Sequence, residues 1–372
     1  MLKSFQIINF RLFEKLEVKK LGRVNLIVGK NNSGKSTFLE AIQIYASNGN
    51  SKTLLEIIES WQETWLSEFQ QQSHDYLDNP IRHLFFGHKL PKIWEESISF
   101  GEVSPDLPLK LNIAVYQNIT DDEGTIRKIL VSDIQLDEDL SNIETFLIAE
   151  EGEKIRRLFR LELDIRDIRR NSVRSLYERQ DSEVKYVCQI VSTDNMPNQK
   201  LASLWELIDL TDLEPEVISS LELIDNRVLG ITFVQNIRSR NERIPLIKLQ
   251  GISERLSLKS MGDGMTRLLH IVVALVNAKN GILLIDEFEN GLHWTVQPKV
   301  WDIIFQLAER LNVQIFATTH SRDCVQSFEQ IWNKYPESGA FFRLDEKNGK
   351  IKATEYTLET LADSLEMDVE VR

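Results

Sequence analysis

Three short, mainly apolar runs, Val24–Val28, Ile282–Ile285 and Val313–Ala317, stand out along the chain. Runs of this kind describe strands buried on both faces, as inside a parallel sheet. The first is followed by a polar loop, Lys30–Lys35, and then by Ser36–Ala46, where Phe38, Leu39, Ile42 and Tyr45 recur at helical spacing. The second is followed by a helical pattern over Val296–Leu311, and an amphipathic helix is predicted over Met265–Ala278. Strand patterns also cover Phe5–Phe10 and Leu16–Lys19 around a turn. The stretch Ile98–Val131 alternates, with a turn at Asp121-Asp122-Glu123-Gly124, and a second meander follows at Gly230–Val234 and Pro245–Leu249. Thr53–Phe69 reads as a helix with Leu54, Ile57, Ile58, Trp61 and Trp65 on one stripe, and Leu201–Leu223 as helical. Ser141–Gln180 is charged and fits neither period. Strand–helix alternation at both ends with a long β-rich and helical middle predicts one α/β core carrying an insertion. The segments are 1–50, 51–255 and 256–372.

The chain has 372 residues, 42% hydrophobic and 27% charged, enough for a sizeable core. Its net charge of −13 argues against non-specific coating of DNA but leaves room for a local basic groove. Arginine is dense at Arg156–Arg174 and at Arg238, Arg240 and Arg243. Two cysteines, Cys188 and Cys324, make neither a disulfide framework nor a metal-ligand spacing, and a reducing cytoplasmic location is expected. The N-terminus lacks a secretory pattern, and no apolar run is long enough to span a bilayer.

The polar loop after the first buried strand, Gly29-Lys30-Asn31-Asn32-Ser33-Gly34-Lys35-Ser36, fits G-x-x-x-x-G-K-[ST]. Gly29 and Gly34 permit the backbone to turn successive N–H groups toward phosphate oxygens, and the helix that follows, through Ser36 and Thr37, adds its positive end. Lys35 supplies a charge for the β- and γ-phosphates of ATP, and the Ser36 hydroxyl a ligand for Mg²⁺. The second buried strand ends in Asp286-Glu287. A carboxylate at the end of a parallel strand beside the phosphate loop can hold the Mg²⁺ shell, and Glu287 can take a proton from an attacking water. The third strand ends in Thr318-Thr319-His320-Ser321, where His320 can sense a γ-phosphate. Ser260-Met261-Gly262-Asp263-Gly264 opens a helix and forms a second anion nest, with Ser260, Gly262, Asp263 and Gly264 as its expected nucleotide contacts. Since the chain's own phosphate loop already serves in cis, this nest is expected to act in trans on ATP held by another copy. Glu289-Asn290-Gly291-Leu292-His293 follows Glu287 directly.

These motifs, in this order, resemble those of ABC-type ATPases of the structural-maintenance-of-chromosomes and RecF-like group. Within that group the chain looks like the OLD-like ATPases (overcoming lysogenization defect), including stand-alone bacterial AAA-family ATPases. The resemblance spans Phe5–Tyr45 and Ser257–Phe328, about a third of the chain. It implies an ABC-type P-loop head with an antiparallel β subdomain and a helical insertion. Residues 260–264 look like the signature, 284–293 like Walker B with its D-loop, and 318–321 like the H-loop. The family further implies a homodimer that sandwiches two ATP molecules, with Arg11 close to the nucleotide. The Q-loop glutamine is open between Gln189 and Gln235, while Gln43 sits on the phosphate-loop helix. OLD nucleases carry a C-terminal Toprim domain for which Phe341–Arg372 has no room. A separate, nuclease-like effector is therefore the expected partner, in DNA metabolism or defence against mobile elements, with DNA as a further partner in the RecF-like alternative. No sustained heptad repeat separates Lys35 from Asp286, which excludes a long coiled-coil arm.

Overall fold

The computed structural model describes residues 1–62, 79–92, 97–104, 107–120, 126–131, 143–162, 184–236, 242–367 and 370–371. In chain order the strands are β1 (Phe5–Phe10), β2 (Phe13–Val18), β3 (Val24–Val28), β4 (Ile98–Gly101), β5 (Leu109–Thr120), β6 (Ile126–Leu130), β7 (Ile143–Glu151), β8 (Lys154–Arg160) and β9 (Cys188–Val191). They continue as β10 (Val228–Gln235), β11 (Arg243–Leu249), β12 (Arg255–Ser257), β13 (Ile282–Ile285), β14 (Gln314–Thr318), β15 (Gly339–Lys347) and β16 (Lys350–Tyr356). The α-helices are α1 (Lys35–Ala46), α2 (Ser51–Ser60), α3 (Asn198–Glu206), α4 (Glu214–Leu221), α5 (Asp263–Asn277), α6 (Gln297–Arg310), α7 (Arg322–Lys334) and α8 (Leu358–Glu366).

The three apolar runs become neighbours in one sheet of order β16-β15-β3-β14-β13-β9, parallel throughout except for the β16 edge. Being buried on both faces, each strand sends alternate side chains into two cores. Val24, Leu26, Val28, Leu283, Ile285, Ile315 and Ala317 join the core under α5, α6 and α7. Ile27, Ile282, Leu284, Phe316 and Phe342 point the other way, onto α1. That second core is closed by an antiparallel sheet of order β2-β1-β4-β5-β7-β8, with β6 paired to β5. Thus α1 is held between two sheets, touching β13 and β14 on one side and β4 on the other. The α/β class with an antiparallel β subdomain is the architecture observed. The sheets do not follow the three sequence segments. Strands β1 and β2 join the insertion's sheet, and β9, from inside the insertion, edges the parallel core.

Several elements differ from the sequence expectation. The charged stretch after Ser141 contains the hairpin β7–β8, while residues 163–180 and the turn at 121–124 lie outside the described residues. The helix expected over Thr53–Phe69 stops at Ser60, because Gln62 takes a left-handed conformation (φ 57°) and its N–H closes back on the Glu59 carbonyl at 3.0 Å. Trp61 therefore leaves the apolar stripe and stands half-exposed, and Trp65 lies outside the described residues. The helix α5 is not amphipathic. It is buried on every face from Met265 to Val276, since α3, α4, α6 and β9 surround it. The Leu201–Leu223 stretch divides into α3 and α4. A third, three-stranded sheet, β10-β11-β12, covers the same side of the core.

Buried polar side chains fix the sheet's ends. Asn25, wholly buried in β3, accepts from the Gly22 N–H at 2.8 Å and donates to the carbonyls of Gly22 and Ile315, both at 2.9 Å. Gln314 exchanges two 2.8 Å hydrogen bonds with the backbone of Leu2. Phe38 is the hinge pin between layers. Its ring lies 5.9 Å from Phe5, 6.3 Å from Phe316 and 5.3 Å from Phe342, and it is fully buried. Phe38→Ala should cost about 3–5 kcal/mol of stability, read as a drop in urea midpoint. A loss below about 1 kcal/mol would mean that this junction relaxes around the gap.

Candidate active site

The phosphate loop is built as its spacing requires. Gly29 (φ 151°), Asn32 (φ 64°) and Gly34 (φ 91°) take conformations that turn the chain tightly between β3 and α1. A Cβ on Gly29 would stand 2.5 Å from the Leu344 carbonyl oxygen, and one on Gly34 would meet the Phe13 ring at 2.7 Å. Both positions thus need glycine on steric grounds as well. Inside the loop the Lys35 ammonium donates to the carbonyls of Gly29 at 2.9 Å and Lys30 at 3.0 Å. Burial pushes the Lys35 pKa below its usual value, while the charges of Asp286, Glu287 and Glu289 pull it back up. The Ser33 hydroxyl is buried within the loop without a hydrogen-bond partner among the described residues.

A groove of about 180 Å³ runs beside the loop, lined by Leu12, Asn31, Asn32, Gly34, Lys35, Ser36, Thr37, Trp61, Asp286, Glu287 and His320. The three sequence motifs therefore converge on one cavity. The strand β14, which leads to His320, runs between β13 and β3. Asp286 nevertheless reaches across. Its carboxylate accepts from Ser36 Oγ at 3.0 Å, Thr318 Oγ1 at 2.6 Å and Thr193 Oγ1 at 3.5 Å.

Glu287 sits in the left-handed region (φ 49°), which costs a side-chain-bearing residue roughly 1–3 kcal/mol unless its surroundings hold it there. Here they do. The Glu287 N–H donates to Thr318 Oγ1 at 2.8 Å, and its carbonyl accepts from Arg267 at 2.9 Å. The carboxylate is thereby turned to His320, with Nε2 and Oε1 3.4 Å apart and both side chains about a third exposed. The His320 N–H donates to Glu289 Oε1 at 2.8 Å, tying the strand end to the turn after Glu287.

The hard oxygens of Ser36 and Asp286 fit Mg²⁺. No group of three or more His, Cys, Asp or Glu side chains arranged to hold a metal occurs among the described residues.

Ser260, Gly262 and Asp263 lie exposed, and neither they nor Gly264 lines this groove. Ser260 Oγ donates to the Ser257 carbonyl at 2.6 Å. Gly262 (φ 89°) has open space where a Cβ would stand, and a Cβ on Gly264 would lie 3.2 Å from the Gly291 carbonyl oxygen. The nest and the Glu289–His293 turn are thus packed together in the same copy. Arg11, in a left-handed turn (φ 49°), is buried, and its Nε lies 3.2 Å from Glu40. Arg11 does not itself line the groove, but its neighbour Leu12 does. Neither Gln189, in mid-strand β9, nor Gln235, at the exposed end of β10, is a lining residue. From the loop after β9, Thr193 reaches the site only through its 3.5 Å hydrogen bond to Asp286.

Sequence reasoning missed Arg267. Nearly completely buried on α5, it donates to the carbonyls of Ser192 at 2.6 Å, Asp286 at 2.6 Å and Glu287 at 2.9 Å. One planar fork thereby locks the nest's helix to the strand ends that carry the acids. A charged residue within the otherwise largely apolar Met265–Val276 stretch was the available signal. Of the arginine-dense stretch, Arg156 donates to the Asn48 carbonyl, Arg157 lies over Tyr116 at 5.2 Å, and Arg160 pairs with Glu144 and Glu162. Arg169, Arg170, Arg174, Arg238 and Arg240 lie outside the described residues.

Comparison with known proteins places these features. A family model described as AAA ATPase domain matches residues 1–81 and 109–325. An ATP/GTP phosphatase of Helicobacter pylori is 24% identical over 361 residues, covering 89% of this chain and 88% of that protein. A DNA replication and repair protein RecF of Clostridioides difficile is 42% identical over 52 residues, 14% of each chain. Among solved structures, an SMC head domain from Thermotoga maritima aligns at 12% identity, covering 95% of this chain and 98% of that one, with a TM-score of 0.42. No helix among the described residues is long and apolar enough to cross a membrane.

One residue beside Arg267 yields a pH test. His270 is buried on α5, and burial, with the Arg267 charge adding to it, lowers its pKa to about 4. Unfolded, it titrates near 6.5. Between those values the unfolded chain binds the extra proton, so stability falls as pH drops from about 6.5 to about 4, by on the order of 3 kcal/mol from this group. His270→Phe should flatten that part of the stability–pH curve. An unchanged slope would remove His270 as its source.

Proposed function

We propose that this chain, which belongs to the AAA ATPase domain family, is a Mg²⁺-dependent ABC-type switch ATPase that closes as a homodimer around ATP. The observation that carries the reading is the Asp286 carboxylate, bonded at once to the phosphate-loop Ser36 and to Thr318 beside His320. The phosphate loop, the acid pair and the histidine strand are thereby held on one groove.

The residues divide the work by their chemistry. Backbone N–H groups of residues 29–36 and the start of α1 bind phosphate oxygens, and Lys35 exchanges its loop carbonyls for the β/γ-phosphates. Ser36 and Asp286 hold Mg²⁺, which when bound neutralises phosphate charge. Glu287 orients a water and takes its proton, and His320, 3.4 Å away, contacts the γ-phosphate. Ser260, Gly262 and Asp263 are exposed, and neither they nor Gly264 lines the chain's own groove, which supports their use on ATP held by a second copy. Each copy then supplies half of the cage, and loss of the γ-phosphate loosens the pair.

The output goes to a separate effector, in the OLD-like manner, within DNA metabolism or defence against mobile elements. The H. pylori relative is named for phosphatase activity on ATP and GTP, which supports nucleoside triphosphate hydrolysis over as much of the chain. The RecF stretch favours a second reading, direct action on DNA. Against it, Arg156, Arg157 and Arg160 are engaged within the fold.

Lys35→Ala should abolish ATP binding. Glu287→Gln should keep ATP binding while lowering kcat by about 10²-fold or more, and should accumulate an ATP-dependent dimer in light scattering coupled to gel filtration. Normal turnover in Glu287→Gln would remove its role as base. A Glu287→Gln protein that stays monomeric with saturating Mg²⁺-ATP would remove the dimer. Steeply salt-dependent DNA binding by that protein would favour the second reading.

A further inference from the structure

We infer that Trp61 is the stacking platform for the nucleobase of the bound nucleoside triphosphate, an inference that rests on the nucleotide reading above. Trp61 lies far from the motifs in sequence, yet it lines the same groove as Lys35, Ser36 and Asp286. Large aromatic side chains are normally drawn into the core, but this one is 50% exposed. Its position is nevertheless fixed. The indole N–H donates to Glu40 Oε1 from the second turn of α1. The Arg11 guanidinium carbon lies 5.2 Å from the ring centroid, and Arg11 is itself held by Glu40 at 3.2 Å.

The arrangement has a direction. Arg11 is only 5% exposed, so the cation occupies the inner side of the ring, while Trp61 itself is half-exposed and lines the groove. Glu40 uses the indole N–H, which leaves the π face as the means of recognition. A flat, apolar, rigidly held ring at the margin of a phosphate-binding groove suits a flat aromatic ligand joined to those phosphates. The buried cation behind the ring and the left-handed Gln62 that ends α2 hold the ring in place before any ligand arrives. Stacking reads a π surface and not a hydrogen-bonding edge, so the platform serves adenine and guanine alike.

The test uses the full chain with Mg²⁺ and three probes, ATP, GTP and inorganic tripolyphosphate, titrated by calorimetry. Trp61→Ala should weaken ATP and GTP by about tenfold each and leave tripolyphosphate unchanged, because only the base contact is lost. Trp61→Phe, which keeps a π face, should recover most of the ATP affinity, while the fluorescence quench that ATP produces in the wild-type chain should disappear. Unaltered ATP affinity in Trp61→Ala would overturn the platform, and so would an equal loss for tripolyphosphate, which would mark Trp61 as a structural support of the loop. A wild-type chain that binds tripolyphosphate but not ATP would refute the platform while sparing the phosphate site. One that binds neither would remove the nucleotide reading itself.

Discussion

One carboxylate organises the C-terminal edge of the parallel sheet. Asp286 ends β13, yet its oxygens accept hydroxyl donors from the start of α1, from the end of β14 and from the loop after β9. Three sheet strands and the phosphate-loop helix are thus referred to a single side chain. An anion at that point is stabilised by those donors and by the nearby Lys35 charge, and it is where a cation with phosphate oxygens would replace the hydroxyl contacts. Everything else at the site is positioned relative to it. The Thr318 hydroxyl that donates to Asp286 also receives the Glu287 N–H, so the two acids and the strand leading to His320 share one atom.

A second layer holds the strained element. Glu287 is a non-glycine residue in a left-handed conformation, and such geometry persists only where neighbours over-determine it. Arg267 does this from behind, bonding the carbonyls of both acids while standing on the helix that begins at the exposed Gly262–Asp263 nest. The fork thus joins the helix that begins at that nest to the backbone of the acid pair. The Gly291 turn, in close contact with the same nest, is a second link between them.

The parts of this architecture that were legible in the sequence are those set locally. Mainly apolar runs identified β3, β13 and β14, and the glycine spacing identified the phosphate loop. Chemistry at strand ends then followed, because a polar residue after a doubly buried strand has only the sheet's edge to occupy. What was not legible depends on partners distant in sequence. The order β3-β14-β13 comes from long-range pairing, and nothing in the run Ile282–Ile285 says that β14 will intervene. The short run Cys188–Val191 is a core strand only because β13 accepts it. The hairpins β7–β8 and β15–β16 carry charges along their exposed positions, so their apolar alternation is diluted. Trp61 fits the apolar stripe of α2 by spacing, and a single left-handed residue after it decides otherwise.

The strand that feeds the phosphate loop has an awkward birth. Its flanking strands, β14 and β15, begin at Gln314 and Gly339, almost three hundred residues or more after it. A ribosome elongating at about 5–20 residues per second needs roughly 15–60 s to reach them after β3 has been made. During that interval Val24–Val28 has no sheet to enter, whereas β1 and β2 can already pair as a hairpin. The glycine-rich loop consequently has no completed floor until β14 and β15 have been made, and a product truncated before them would retain the whole loop while lacking the sheet beneath it.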